Sequence, residues 1–198
     1  MVITYHGENY FKIQSGSFTV LVDPTDSRSF RGANLILSTL KPSAVPPPDP
    51  EGAPSGSGAF FVDHQGEYEV KDAAVRGISA GGERALEKTI YRIVLEGIDL
   101  LVLGHLSKEP SPEIQESFKG AQVVIVPVGK PFISEEVAAK LMRQIEPALV
   151  IPSLSNPAAA GLKGFLRELG KEKCPTEEKL VFKAKDLEPG KLEVKCLK

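Results

Sequence analysis

The order of predicted elements constrains this chain most, because strands that form hairpins come first and strands that alternate with helices follow. Alternating and continuous apolar patterns predict strands at residues 2–5, 10–14, 18–22, 33–38, 59–62, 67–70, 73–78, 89–95 and 98–104. The run at 33–38 is apolar almost throughout, which is typical of a strand covered on both faces. A Ser-Ala-Gly-Gly sequence at 79–82 predicts a break. The first half of the chain is therefore expected to be mainly β-structure.

The second half alternates strands with helices. Strands are predicted at 123–127, 149–152, 180–184 and 192–195. Three helices are predicted, beginning at Ser111-Pro112, Ser134 and Asn156-Pro157 and ending near Phe118, Pro147 and Gly170. Hairpins followed by this alternation predict an α/β (α+β) chain in which helices cover a sandwich of β-sheets.

Composition and charge limit the number of domains, the cellular location and the possible partners. A length of 198 residues, with 41% hydrophobic and 25% charged, predicts one folded domain over residues 1–198. We expect a cytoplasmic protein with no membrane contact, because no apolar run reaches the roughly 20 residues of a membrane-spanning helix and the first residues lack a signal-peptide pattern. A formal charge of -2 makes nucleic-acid binding a poor expectation, although residues 163–198 carry a small excess of Lys and Arg.

The two cysteines, Cys174 and Cys196, are not in a Cys-x-x-Cys spacing. A zinc knuckle, a redox pair or a disulfide framework is therefore not expected, and we interpret them as two ordinary thiols.

A long loop is predicted over residues 41–58, which include six prolines, three glycines and three serines. A loop of this length in a compact domain is usually either a functional element or disordered. Extended proline segments lose little entropy on docking, so this loop is our expected contact element for a partner.

Several strings in the chain, in this order, resemble the metallo-β-lactamase superfamily. They are ITYHGENYFKIQSG, VLVDP, ANLILST, GEYEV, KTIYRIVLEGIDLLVLGHL, AQVVIVPVG and IEPALVIPS. The resemblance is to a branch of small bacterial zinc-dependent hydrolases related to the ascorbate-phosphate lactonases. It implies a four-layer αββα sandwich with metal ions held by loops at one edge of the two sheets.

The same resemblance implies two zinc ions held by a His-x-His-x-Asp-His loop, which would make hydroxide available near neutral pH. That loop follows Thr39 here, and its four ligand positions carry Leu40, Pro42, Ala44 and Val45. The ligand positions farther along are also changed: residues 79–83 contain no histidine, His105 stands for the bridging aspartate, and Leu154 stands for the final histidine. Glu8 stands where a histidine is usual beside Gly7. We therefore expect no dinuclear zinc site and no cofactor.

On the implied fold, polar residues should still converge near the same edge. They are Glu8, Asp23, Thr39, His105 and Ser153. Glu8, Asp23 and His105 are an alternative catalytic set, able in principle to perform acid–base chemistry or to hold one zinc or manganese ion. The simpler interpretation is that His105 fills space and hydrogen-bonds a neighbour such as Glu8, while Asp23 caps loop backbone. His6 is expected at the end of the first strand, and His64 in an exposed turn.

Two functions of different classes follow. The first is a non-catalytic protein of this fold that binds an unknown protein or small-molecule partner, with its oligomeric state left open by the sequence. The second is a hydrolase of phosphoesters or lactones with a non-standard site. A fold by itself does not establish an activity, so the ligand positions weigh more than the overall resemblance.

Overall fold

Two β-sheets packed face to face form the centre of the molecule. The computed structural model describes residues 1–44, 58–83, 86–153 and 160–198. The strands in chain order are β1 (Val2–Tyr5), β2 (Phe11–Ser15), β3 (Phe18–Val22), β4 (Leu35–Leu37), β5 (Leu40–Lys41), β6 (Phe60–Val62), β7 (Gly66–Val70), β8 (Ala73–Glu83), β9 (Leu86–Leu95), β10 (Ile98–Val102), β11 (Val123–Pro127), β12 (Leu149–Ser153), β13 (Thr176–Glu177), β14 (Lys179–Val181), β15 (Glu193–Val194) and β16 (Cys196–Leu197). The α-helices are α1 (Pro112–Glu116), α2 (Glu135–Ile145) and α3 (Ala160–Glu168).

The two sheets divide the strands almost by their order in the chain. The first sheet has six strands in the order β14-β1-β2-β3-β4-β6. The second has eight, in the order β15-β12-β11-β10-β9-β8-β7, with β5 paired to β9. Between them lies an apolar core to which both sheets contribute, for example Ile3 and Val20 from the first and Tyr91 and Ile93 from the second. In β2 the buried Phe11 and Ile13 alternate with half-buried polar residues, as the two-residue period of a strand requires.

The three α-helices cover the outer face of the second sheet. In α2, Ser134 caps the first turn by accepting a hydrogen bond from Val137 N, and Leu141 and Met142 are buried against β11 and β12. The outer face of the first sheet is covered by a 3-10 turn, Ser27–Phe30, whose Phe30 packs on Leu21. The expected layered fold of sheets flanked by helices is therefore confirmed. That the chain is one domain over residues 1–198 stays a prediction.

One predicted break is wrong. Strand β8 continues through residues 79–82 and pairs with β9 in a single long hairpin, with a shift of register between Ser79 and Gly82. The glycine allows a close approach between strands here, because a Cβ on Gly82 would lie 2.4 Å from the carbonyl oxygen of Leu86. A composition that is typical of a turn therefore belongs to a bulged strand.

The interpretation of the two cysteines is also wrong. Cys174 and Cys196 form a disulfide with their Cα atoms 5.8 Å apart. Strands β13 and β16 pair in parallel, with Thr176 opposite Cys196, and this pairing carries Cys196 to the segment that follows α3. The short strands β13 and β16 leave too little apolar pattern for the sequence to predict the contact.

The helices bear on two other expectations. Within the described ranges, no helix has the length and apolar content needed to cross a membrane. The predicted start of the third helix at Asn156-Pro157 lies outside the described residues, and α3 is described from Ala160.

Candidate functional site

The polar residues singled out from the sequence lie at one edge of the two sheets, where several strands end. Asp23 follows β3, Thr39 lies between β4 and β5, and His105 follows β10. Because β3 and β4 are parallel, with Val22 opposite Leu37, the residues after them emerge side by side. Glu8 lies between β1 and β2, and Ser153 is the last residue of β12. Strand topology therefore brings the predicted residues to a common edge.

Asp23 is joined to Thr39 by two hydrogen bonds. Thr39 N donates to Asp23 Oδ1 at 2.7 Å, and Thr39 Oγ1 is 2.6 Å from Asp23 Oδ2. The expectation that Asp23 binds loop backbone fits this geometry, although the side chain of Thr39 also takes part. Burial raises the pKa of the Asp23 carboxyl to about 7, although the bonds from Thr39 act in the opposite direction. Asp23 adopts a left-handed backbone conformation with φ of 46°, which an aspartate tolerates better than most residues.

His105 completes a hydrogen-bonded chain of three side chains. Its Nδ1 lies 2.7 Å from Thr39 Oγ1 and 3.6 Å from Asp23 Oδ2. The expected partner Glu8 is therefore replaced by Thr39, which is fully buried while Glu8 is exposed. Burial, and secondarily the charge of Lys88, lower the pKa of His105 to about 4, so the imidazole is neutral at pH 7.

The hydroxyl of Thr39 has one proton to share between two neighbours. When Asp23 is ionised the proton points to the carboxylate, so Thr39 accepts from Nδ1–H of His105 and leaves Nε2 without a proton. Thr39 itself is 0% exposed. It therefore connects the two ionisable groups and is inaccessible as a nucleophile.

Gly104 holds His105 against Thr39. Its backbone is left-handed, with φ of +55°, and a Cβ at this position would lie 2.4 Å from Thr39 Cβ. Glycine is needed here both for the backbone conformation and for the close approach. The glycine in the Gly104-His105 pair thus has a structural reason that does not involve a metal ion.

Substituting Gly104 by alanine should lower the free energy of unfolding by about 2 kcal/mol, about half from the left-handed backbone and half from the contact with Thr39. Gly97→Ala is the matched control, because Gly97 has φ of +74° and no described atom lies within 4 Å of the position that its Cβ would take. Urea unfolding of both variants measures the difference. Equal losses for the two would contradict the role given to the contact with Thr39.

Ser153 joins the end of β12 to the loop between β1 and β2. Its Oγ lies 3.0 Å from the carbonyl oxygen of Glu8 and also contacts Oδ1 of Asn9. Asn9 is 4% exposed, and its Nδ2 has no hydrogen-bond partner among the described residues. Sequence reasoning had no signal with which to select Asn9, because an asparagine after Gly7-Glu8 is typical of an ordinary turn.

Glu8 contributes its backbone more than its carboxylate. Its carbonyl oxygen accepts from Tyr5 Oη at 2.8 Å and lies 3.0 Å from Ser153 Oγ. Its backbone is left-handed, with φ of 53°, and the residue is exposed. Glu8 thus lies at the rim of the edge and not within the Asp23–Thr39–His105 chain.

A small depression at this edge is lined by both charged and apolar side chains. Its volume is about 70 Å³. Its lining includes Glu8, Asn9, Asp23, Leu40, Ala44 and His105. Ligand pockets for drug-sized molecules span roughly 300–1,000 Å³, and a water molecule occupies about 30 Å³ of liquid. The depression therefore admits a few waters or one small chemical group.

The donor set does not fit the two zinc ions that the resemblance implies. Leu40, Pro42 and Ala44 have no side-chain donor atom, and Val45 and Leu154 lie outside the described residues. Within the described part of the chain, no three or more His, Cys, Asp or Glu side chains are grouped so that they could hold a metal ion.

The other two histidines lie away from the Asp23–Thr39–His105 chain. His6 is exposed, and its Nε2 lies 3.3 Å from Thr4 Oγ1. His64 is exposed in a turn, as expected, with its Nδ1 2.8 Å from Asp63 Oδ1. Neither histidine adds a ligand to the edge.

The family of this chain can now be stated. A family described as the beta-lactamase superfamily domain matches residues 2–153, and the chain belongs to this superfamily. No curated protein matches the chain in sequence.

Solved structures share the fold at low sequence identity. A Thermotoga maritima protein named as a Zn-dependent hydrolase of the metallo-β-lactamase superfamily has a TM-score of 0.75 and 17% identity, over 100% of this chain and 99% of that one. An isothiocyanate hydrolase from Delia radicum gut bacteria has a TM-score of 0.64 and 14% identity, over 93% and 100%. A metallo-β-lactamase fold protein from Bacillus subtilis has a TM-score of 0.63 and 8% identity, over 98% and 95%. At these identities the likeness establishes the fold alone.

Proposed function

We propose that this chain is a non-catalytic member of the metallo-β-lactamase fold that binds a partner or a small ligand. One observation carries the proposal: the carboxylate and imidazole at the family's metal edge are bound to Thr39, and the neighbouring ligand positions carry side chains without donor atoms. A zinc site that makes hydroxide needs three protein ligands around the ion. The described residues at this edge supply too few, and two of them already have another partner.

The internal bonds argue against a rewired metal site as well. Both oxygens of Asp23 accept from Thr39, and Nδ1 of His105 is directed at the same threonine. A metal ion would have to compete for the carboxylate with these bonds, and only Nε2 of His105 remains for it. The third member of the alternative set, Glu8, lies exposed at the rim.

The Pro-rich loop over residues 41–58 remains our proposed contact element for a protein partner. The structure describes residues 41–44 and 58 of this loop. Support comes from composition, since extended proline segments dock with a small loss of entropy. We further propose a cytoplasmic setting.

Metal content tests the proposal. Untagged protein purified without chelator, and again after incubation with zinc and with manganese, should carry well below one metal ion per chain by elemental analysis. The same samples should not hydrolyse phosphoesters or lactones above the rate of buffer. Near-stoichiometric metal that disappears in His105→Ala but persists in His64→Ala, a matched change at an exposed turn, would contradict the proposal.

A second candidate, a hydrolase with a non-standard site, is favoured by one observation. Asp23 and His105 line the same depression, and the pKa of Asp23 lies at about 7, which suits a general base. Substrate turnover that is lost in Asp23→Asn and retained in Asp26→Asn, a change at a more exposed aspartate near the same loop, would support this candidate over the first.

A further inference from the structure

The buried amide of Asn9 has an unused hydrogen-bonding atom. Among the described residues, Asn9 Nδ2 is a buried side-chain nitrogen without any partner. An unsatisfied buried donor is destabilising, so such groups usually have a partner in water or in a ligand. Asn9 is also one of the residues that line the small depression at the sheet edge. A group that enters the depression therefore lies beside the Asn9 side chain.

His105 supplies a second unused atom in the same depression. Its Nδ1 faces Thr39, which leaves Nε2 for other contacts. The side chain is 27% exposed and lines the depression with Asn9. With Asp23 ionised, Nε2 carries no proton and accepts a hydrogen bond. The lining of this one depression therefore includes a side chain with an unpaired donor and a side chain with an available acceptor.

The lining favours a neutral group over a charged one. A bound anion would lie near the carboxyl groups of Asp23 and Glu8, and among the described residues no lysine or arginine lines the depression. An ammonium group has no lone pair for Asn9 Nδ2. A hydroxyl group has both a lone pair for Nδ2 and a proton for Nε2.

We propose that the depression binds the hydroxyl group of a small neutral alcohol or polyol, with Asn9 as donor and His105 as acceptor. A volume of about 70 Å³ holds one hydroxyl with one or two carbon atoms, and the remaining atoms of a polyol such as glycerol would lie outside the depression. Leu40 and Ala44 contribute apolar lining for those carbons. The inference rests on the proposed function, because a metal ion at this edge would use the same imidazole and carboxylate.

Nuclear magnetic resonance on the full chain tests this site, with glycerol as the probe. Adding glycerol should shift the assigned side-chain amide signals of Asn9 and the ring signals of His105 in a saturable way. A dissociation constant of roughly 1–100 mM is expected for so few contacting atoms. Methylammonium chloride and sodium acetate at equal concentration should leave these signals nearly unchanged.

Variants locate the binding. Asn9→Leu should weaken glycerol binding at least about tenfold, the equivalent of about 1.4 kcal/mol. Gln65→Leu makes a comparable change at an exposed turn and should bind as the wild type does. If Asn9→Leu does not fold, the titration of the wild-type protein still decides, because the Asn9 signals report directly.

Three results would overturn the proposed hydroxyl site. The first is the absence of a saturable shift with glycerol, which would mean that the depression holds only water. The second is a larger shift with methylammonium or acetate, and the third is unchanged glycerol binding by a folded Asn9→Leu variant. Metal content measured on the same samples separates the two ideas. Failure with glycerol in metal-free protein ends the hydroxyl site alone, whereas bound metal ends the proposed function.

Discussion

Asp23→Asn and His105→Gln should change the pH dependence of stability in opposite directions. The pKa of Asp23 is raised to about 7 by burial, so the folded state holds a proton that the unfolded chain loses near pH 4. The stabilisation of the folded state by Asp23 is fully present below about pH 4 and is lost as pH rises to about 7. The pKa of His105 is lowered to about 4, so its contribution is present above pH 6.5 and is lost as pH falls to about 4.

The magnitudes are large enough to measure. One pKa unit corresponds to about 1.4 kcal/mol, so Asp23 changes the free energy of unfolding by about 4 kcal/mol and His105 by about 3 kcal/mol across these ranges. In the wild type the two contributions oppose each other and nearly cancel between about pH 4 and 6.5. Relative to the wild type, Asp23→Asn should therefore gain stability as pH rises, and His105→Gln should lose it.

Denaturant unfolding at several pH values checks this, with the difference between variant and wild type taken at each pH so that other groups cancel. Lys88 and Glu8 are left unchanged, because Lys88 acts on His105 and Glu8 lies at the rim of the same depression. His64→Gln, at an exposed turn, serves as the matched control for the imidazole. Slopes of equal sign in the two variants, or no change in either, would contradict the burial of Asp23 and His105 at the sheet edge.

Much of the fold could be predicted because it is encoded locally. The apolar runs at β3, β4 and β11 mark strands buried on both faces, and Ser111 and Ser134 mark helix starts in the positions that the structure gives. Parallel pairing then places the ends of these strands at one edge. The long β8–β9 hairpin could not be predicted, because two adjacent glycines, Gly81 and Gly82, are typical of a turn. Their place in a strand depends on the close approach of Gly82 to Leu86 on the partner strand, which the local sequence does not reveal.

The site was predictable in its location and not in its contacts. Asp23 and Thr39 are 16 residues apart and Thr39 and His105 are 66 apart, and which of them bond depends on backbone geometry at Gly104. Because of that geometry, His105 bonds Thr39 and not Glu8, the partner that we expected from the sequence. Asn9 could not be selected from the sequence, because its significance lies in an amide nitrogen without a partner among the described residues, which only its surroundings reveal.

Removal of the disulfide should destabilise the protein by about 3 kcal/mol. Cys174 and Cys196 are 22 residues apart, and a cross-link that closes a loop of this size restricts the unfolded chain by about that free energy. The closed segment includes β13 and ends in β16, and their two-residue pairing is too short to hold the C-terminal residues alone. Cys196 is 4% exposed, so the bond also keeps a buried side chain in place.

Guanidinium unfolding of the wild type and of a Cys174→Ser, Cys196→Ser double variant, each with and without reductant, measures this effect. The reductant should destabilise the wild type by about the same 3 kcal/mol and leave the double variant unchanged, which controls for its other actions. Two free thiols in the native wild-type protein, together with equal stability of wild type and variant, would show that the bond does not form.

Disulfides persist mainly in oxidising compartments and in intracellular proteins of hyperthermophiles. Counting thiols in protein taken directly from its source cells therefore also tests the cytoplasmic setting that the sequence led us to expect.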